Sequence, residues 1–298
     1  MKTHSNVTVT VTDPGSVHVL DIDRATFADG FARRAFAVRH ELVHHPLLTL
    51  EAIAELADRL PPLAVERHSA DQPLLVPGGA PELGGRPGDT VRDIETSGAW
   101  MVLWNIEQAP PYRDLLNRCL DEVELLVSGE HGGMLRREAF LFLSAPNALT
   151  PAHFDPEHNL LLQIRGHKQM NVGRFSDRAS ELRELDRYHD GGHRNIEHLP
   201  DEFTAFEMDP GDGVYVYPFA PHWVRNGPRA SMSLSITFRT VVSERAERVH
   251  RFNARVRRLG LSPRPAGRRR AVDSVKAGAM GLAGRLRQTP KIRRSRTS

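Results

Sequence analysis

Cysteine is almost absent: Cys119 stands alone in 298 residues, so no intramolecular disulfide framework can hold this chain. Its neighbours "LLNRCLDEV" have the spacing of an amphipathic helix, in which a small thiol packs as core. Long apolar runs are missing too. No stretch approaches the roughly 18 to 20 residues a membrane-spanning helix needs, and the opening "MKTHSNVTVTVTDPGS" lacks the basic patch and apolar segment of a secretory signal. A cytoplasmic protein with no membrane span is the expectation. Acidic residues are scarce at one end only. From Glu244 onward there are 17 Lys and Arg against 3 Asp and Glu, out of 40 and 37 in the whole chain. The body thus carries a net charge of about −11 and the tail about +14. Such a tail suits nucleic acid, an anionic surface or the body itself, and it shows no interleaved aromatics or DNA-binding motif that would choose among them.

What is present is ordinary globular material, 40% hydrophobic and 26% charged, long enough for one large core. Residues 1 to about 22 alternate at period two and read as one or two short strands. From Thr26 to Leu60 the spacing turns helical, until Pro61 and Pro62 end it. Residues 63 to 95, rich in Pro and Gly, read as an irregular loop. "GAWMVLWNIEQ" reads as a strand followed by a turn. "PYRDLLNRCLDEVELLVSG" is the clearest helix, with Pro111 near its start and Gly129 just past its end. From Ala139 to Phe238 short β-rich runs follow one another between turn residues, which argues for a β-sandwich or barrel. "SERAERVHRFNARVRRLG" reads as a basic amphipathic helix capped by Gly260, and the remainder as flexible or partly helical. The expected division is an N-terminal mixed strand and helix region over 1–97 packing on the core, a β catalytic domain over 98–243, and a basic helix with a flexible tail over 244–298.

The chemistry concentrates in "TPAHFDPEHNLLLQIRGHK", from Thr150 to Lys168. On a strand, period two puts His153 and Asp155 on one face with Phe154 on the other. An imidazole and a carboxylate so placed are two-thirds of the facial triad that holds non-haem Fe(II) with coordination positions open. The third ligand must come from another strand, and "PGDGVYVYPFAPHWVRN" supplies His222. Lys168 follows His153 by fifteen residues, across a turn at "RGH", so it can face the same cavity from a neighbouring strand and pair with a dicarboxylate. Thr150 can add a hydroxyl donor and Asn159 an amide. Together these residues describe a pocket for Fe(II) and 2-oxoglutarate.

"LTPAHFDPEHNLLLQIRGHKQMNV", followed by "MDPGDGVYVYPFAPHWV" and "SMSLSITF", resembles the JmjC and cupin-like Fe(II)/2-oxoglutarate oxygenases over about residues 98 to 240. The likeness is to the hydroxylase branch that includes the asparaginyl hydroxylase of hypoxia-inducible factor. The resemblance implies a double-stranded β-helix with added helices, iron bound by His153, Asp155 and His222, and the far carboxylate of 2-oxoglutarate held by Thr150 and Lys168. It places Asn159 along that pocket and Ser235 and Thr237 on the last core strand, where the family often has further polar pocket residues. It implies hydroxylation of a protein or peptide side chain or a small metabolite, with dioxygen consumed and succinate and carbon dioxide released. Two positions depart from the pattern. Pro221 replaces the aromatic common before the second histidine, and Thr237 stands where asparagine is frequent, so the distal pocket is expected to differ in shape. Retention of Asp155 disfavours a halogenase, which vacates that ligand position.

Other readings compete. A non-catalytic cupin-like protein that binds a ligand and touches nucleic acid through its basic tail would share the fold without turnover. "HELVH", with His40 and His44 at i and i+4, has the pattern of a zinc peptidase helix, although Pro46 stops any such helix at once. "RYHDGGHRNIEH", with His189, His193 and His198, offers a second set of metal donors, but as an insertion between core strands it reads rather as a loop over the site mouth. The helix from Ser243 to Leu259 could form a dimer contact.

Overall fold

The computed structural model describes residues 18–69, 84–196 and 198–288. In chain order the strands are β1 (Leu20–Asp21), β2 (Phe36–His40), β3 (Val65–Ser69), β4 (Ala99–Leu103), β5 (Met134–Ser144), β6 (Leu149–His153), β7 (His158–Arg165), β8 (Lys168–Gly173), β9 (Phe203–Met208), β10 (Asp212–Val216), β11 (His222–Asn226) and β12 (Ser231–Thr240). The helices are α1 (Arg24–Gly30), α2 (Leu50–Arg59), α3 (Pro87–Arg92), α4 (Pro110–His131), α5 (Arg178–His189), α6 (Val241–Arg258) and α7 (Arg270–Gln288). One sheet runs β1-β2-β10-β7-β12-β5-β4-β3 and the other β6-β11-β8-β9.

The eight strands from β5 onward divide four and four between these sheets. β5, β7, β10 and β12 lie in the larger, β6, β8, β9 and β11 in the smaller, and neighbouring strands are antiparallel throughout. This is the double-stranded β-helix expected from the sequence. The near-continuous apolar run of β7 follows from burial on both faces. Leu160 and Leu162 belong to the core that also holds Ile53 and Leu56 of α2 and Leu116, Leu120 and Val123 of α4. Leu161 instead joins Met170, Val172, Met208, Val214, Val216 and Val224 between the sheets.

The strands before β5 extend the larger sheet on both flanks. β2 pairs with β10 and β4 with β5, so these strands widen the larger sheet, while His153, Lys168 and His222 lie on strands of the smaller one. Several local expectations are corrected here. "FAVRH" lies inside the stretch read as helical but forms β2, because Phe36, Val38 and His40 are buried while Ala37 and Arg39 face out. β3 and α3 occupy parts of the segment expected to be irregular. Gly129 lies within α4, and the helix ends instead at Gly132, whose φ of 77° is the left-handed conformation that glycine adopts freely. In keeping with the partly helical alternative for the end of the chain, Arg270–Gln288 form the 19-residue α7, anchored on α6 by the Lys276 ammonium, which donates to Asn253 Oδ1 at 2.8 Å. Residues 1–17 of the expected N-terminal strands lie outside the described residues. No helix among the described residues is long and apolar enough to cross a membrane.

The turn from β7 to β8 fixes where Lys168 begins its strand. Gly166 has φ of +72°, and a Cβ there would sit 2.3 Å from the Ala230 carbonyl oxygen. Gln163 closes the turn from below, its Nε2 donating to the Arg165 and Gly166 carbonyls at 2.6 and 2.8 Å. Gly166→Ala is therefore expected to lower stability by about 2 to 4 kcal/mol through left-handed strain and overpacking against backbone. Urea denaturation of the two proteins measures it, and an unchanged midpoint would contradict the argument.

Candidate metal centre

His153 ends β6, Asp155 follows two residues later, and His222 opens β11. The two histidines face each other because β6 and β11 pair in the register His222↔His153, and their rings lie 4.2 Å apart between centroids. Asp155 Oδ2 is 3.8 Å from His153 Nε2 and 3.6 Å from His222 Nε2. Each imidazole is oriented from behind: Nδ1 of His153 donates to the Pro151 carbonyl and Nδ1 of His222 to the Ala220 carbonyl, both at 2.9 Å. Carbonyls only accept, so the hydrogens sit on Nδ1 and both Nε2 lone pairs point to the shared space. Burial, then the neighbouring His153, push His222 down to about 4, leaving it a neutral imidazole near pH 7. Burial opposes ionisation of Asp155, yet the Arg194 guanidinium and the two imidazoles hold its carboxyl below the usual range.

The donor set fits a divalent ion. Two ligands each about 2.1 Å from one ion stand no more than about 4.2 Å apart, and both Oδ2 distances fall inside that limit. Among the described residues this is the one group of three or more His, Cys, Asp or Glu able to share a metal. The rival clusters do not assemble. His40 is no helical residue: it ends β2, buried, with Nε2 at 3.0 Å from the Gln163 carbonyl, and His44 is exposed in the following turn. His193 and His198 are exposed and His189 ends α5.

The other expected pocket residues lie on strands around this centre. Lys168, Met170 and Val172 share one face of β8 by period two, and the latter two belong to the cluster between the sheets. Lys168 is 4% exposed. Burial pushes its ammonium down to about 7, with no neighbouring charge offsetting it. Thr150 is cross-strand partner to Val224, and the register of β6 slips between His222 and Val224. Three residues of spacing would place Thr150 and His153 on opposite faces of a regular strand, and the irregularity returns both to the inner face. Asn159 pairs with Thr237, and Leu161 with Ser235, so Asn159, Ser235 and Thr237 line the same face of the larger sheet. Ser235 Oγ donates to Asn159 Oδ1 at 2.9 Å, whereas Thr237 Oγ1 is buried with no hydrogen-bond partner among the described residues.

Sequence reasoning missed Arg194. It lies after α5 in the segment read for its histidines, and its guanidinium pairs with Asp155 Oδ1. It also missed Arg239, buried at the end of β12, which ties Glu157 to α6 through Glu157 Oε1 at 2.6 Å, Glu244 Oε2 at 3.3 Å and Glu247. The signal was present as charge: both are arginines in or beside the β region, but only the fold supplies their partners.

The fold and site define a double-stranded β-helix with a two-histidine, one-carboxylate centre. Residues 135–245 match the family model described as JmjC domain. Among solved structures the chain is similar to the Escherichia coli ribosomal oxygenase YcfD, with 16% identity, a TM-score of 0.51, and coverage of 91% of this chain and 68% of that one. A structure of the same protein in complex with cobalt and 2-oxoglutarate gives 17% identity, a TM-score of 0.50 and the same coverage. At that identity the likeness establishes the fold. No curated protein matches this chain.

Two measurements check the site. Replacing Ser235 by Ala leaves Asn159 Oδ1 without its donor and is expected to cost about 1 to 2 kcal/mol, while Thr237→Val removes an unpaired hydroxyl and is expected to be neutral or slightly stabilising. Denaturant melts of the pair would expose an error if the order were reversed. Lys168→Met is expected to raise stability at neutral pH. The folded pKa lies below the unfolded one, so between about 7 and 10.5 the unfolded chain binds the extra proton. The burial cost is thus complete below about 7 and fades as pH rises toward 10.5, and the gain from methionine should shrink likewise between melts at pH 7 and pH 10.

Proposed function

We propose that the protein is an Fe(II)- and 2-oxoglutarate-dependent oxygenase, with His153, Asp155 and His222 as the iron ligands and Lys168 as the partner of the far carboxylate of 2-oxoglutarate. The observation that carries this reading is a pairing: a three-ligand centre at one end of the interior and a buried ammonium without counter-charge at the other. β8 and β11 are aligned so that Val172 lies opposite His222 and Lys168 opposite Asn226, a separation of roughly 13 Å along the strand. The lysine side chain and a five-carbon dicarboxylate laid end to end suit that gap. A dicarboxylate there would supply the charge that Lys168 lacks and stabilise its protonated form.

When bound, Fe(II) would couple dioxygen and 2-oxoglutarate to oxidation of a substrate C–H, giving hydroxylated product, succinate and carbon dioxide. The chain's own part is to hold three ligands on one side, to anchor the cosubstrate, and to keep the chamber dry with the apolar layer of Met170, Val172, Val214 and Val216. Thr150 would add a hydroxyl to the far carboxylate, while Asn159, Ser235 and Thr237 would form the polar wall, the unpaired Thr237 hydroxyl being the donor left for a ligand. Hydroxylation of a protein or peptide side chain is the activity we favour over that of a small metabolite, since the similar fold of known activity is called a ribosomal oxygenase. The finer likeness to the asparaginyl hydroxylase of hypoxia-inducible factor rests on the motifs around His153 and His222.

Anaerobic addition of Fe(II) and 2-oxoglutarate is expected to give the weak visible charge-transfer band of a chelated keto acid. His153→Ala should abolish the band, and Lys168→Ala should weaken 2-oxoglutarate affinity by about tenfold to a hundredfold, the range for losing a charge-assisted bond. Succinate release in air then distinguishes turnover from ligand sensing. A protein that binds both and releases none under any substrate would be a non-catalytic cupin-like binder.

A further inference from the structure

Asp155 offers its two oxygens to different partners. Oδ2 is the atom shared with both imidazoles, and Oδ1 is taken by Arg194. The guanidinium reaches it because the chain after α5 returns to the metal motif and pairs with it through a single β-bridge. Gly191 adopts φ of +91° and the Gly192 N–H donates to the Arg187 carbonyl at 3.0 Å, turning the chain at the helix end. Asn195 then forms a bridge with His153. The Phe154 N–H donates to the Arg194 carbonyl at 3.2 Å, and the Ile196 N–H to the Ala152 carbonyl at 3.0 Å. Arg194 is thus registered by backbone pairing against the residues between the two ligands. Its side chain is 40% exposed, against 19% for Asp155.

We infer that Arg194 is a positioning residue that presents Asp155 to the metal through Oδ2 alone. The inference rests on reading the triad as a metal centre. A free carboxylate can chelate through both oxygens or turn about its terminal torsion, which is broad. Engaging Oδ1 with a planar guanidinium removes both freedoms and keeps the opposite side of the ion for cosubstrate and dioxygen. In this arrangement Arg194 acts through Asp155, the carboxylate that its guanidinium engages. The segment between α5 and β9 thereby becomes part of the metal centre, not only a cover over it.

Titration of the 298-residue chain with Co(II), followed by its visible bands and by calorimetry, tests this without turnover. Arg194→Ala is expected to bind Co(II) about tenfold to a hundredfold more weakly, the range for loss of an outer-shell partner, with altered band positions as Asp155 becomes free to chelate. Arg194→Lys should recover part of the affinity, and apo Arg194→Ala should still melt cooperatively, lowered only by the loss of one ion pair to Asp155. Equal Co(II) affinity and spectra for Arg194→Ala and the unaltered protein would refute the role of Arg194 while leaving the metal centre intact. Weakened affinity matched by loss of cooperative apo melting, with no recovery in Arg194→Lys, would make the arginine merely structural and refute it too. Failure of the unaltered protein to bind Co(II) would sink the metal-centre reading and this inference with it.

Discussion

The antiparallel register of β6 against β11, which sets His153 opposite His222, is the constraint on which the rest of the structure depends. Because side chains alternate, a slip of one residue would turn either histidine to the outer face and leave Asp155 with a single imidazole. The register is pinned from several sides. β11 is held on its other edge by β8, and the N–H of Asn226, its last residue, donates to the Ala148 carbonyl at 2.9 Å. β6 would otherwise be an edge strand, and the Asn195 bridge covers it at His153. The same pairing that creates the centre thus recruits the segment that carries Arg194.

The interior is polar where a ligand would lie and apolar around it, and the two characters come from different sheets. The smaller sheet contributes Met170, Val172 and Val224 beside Lys168, while β7 and β12 of the larger contribute Asn159, Gln163, Ser233, Ser235 and Thr237. Most of those groups satisfy one another: Ser233 with Gln163, Ser235 with Asn159. Lys168 and the Thr237 hydroxyl are what remain. Buried groups left unpaired lower stability, and the dicarboxylate proposed above would complete both.

How much of this could be read from the chain depended on how local each signal was. The succession of short β runs after Ala139 announced a β-sandwich or barrel, since each run carries its own alternation, and the resemblance of the motifs narrowed it to the double-stranded β-helix. His153 and Asp155 were legible because their chemistry sits within three residues. His222 was legible only together with them, and Lys168 through its spacing across a glycine turn. β2 was not, because "FAVRH" sits between helical stretches and becomes a strand through pairing with β10, far along the chain. Arg194 and Arg239 escaped for the same reason. An arginine carries no local sign of whether it meets solvent or a carboxylate 39 or 82 residues away.

The opposed charges of body and tail take on a structural meaning in this light. β12 runs directly into α6, capped by reciprocal bonds between Thr240 and Ser243. The glutamates at the start of α6 then converge on Arg239, which also holds Glu157, two residues beyond Asp155. At its far end α6 reaches α5: Arg257 pairs with Asp186 and Arg258 with Asp190. The helix thereby braces both chain segments that meet at Asp155, the motif strand through Glu157 and the Arg194 segment through α5. Two of the tail's arginines are therefore engaged inside the molecule on α5, while its Glu244 and Glu247 meet Arg239 of the body, which clamps the metal motif through Glu157. Charges of this kind differ from exposed pairs, which contribute little, because removing Arg239 would strand several poorly solvated carboxylates at once. An outside partner for the tail must be sought among the arginines that this clamp leaves facing outward, such as Arg264 and Arg268 to Arg270, which are exposed.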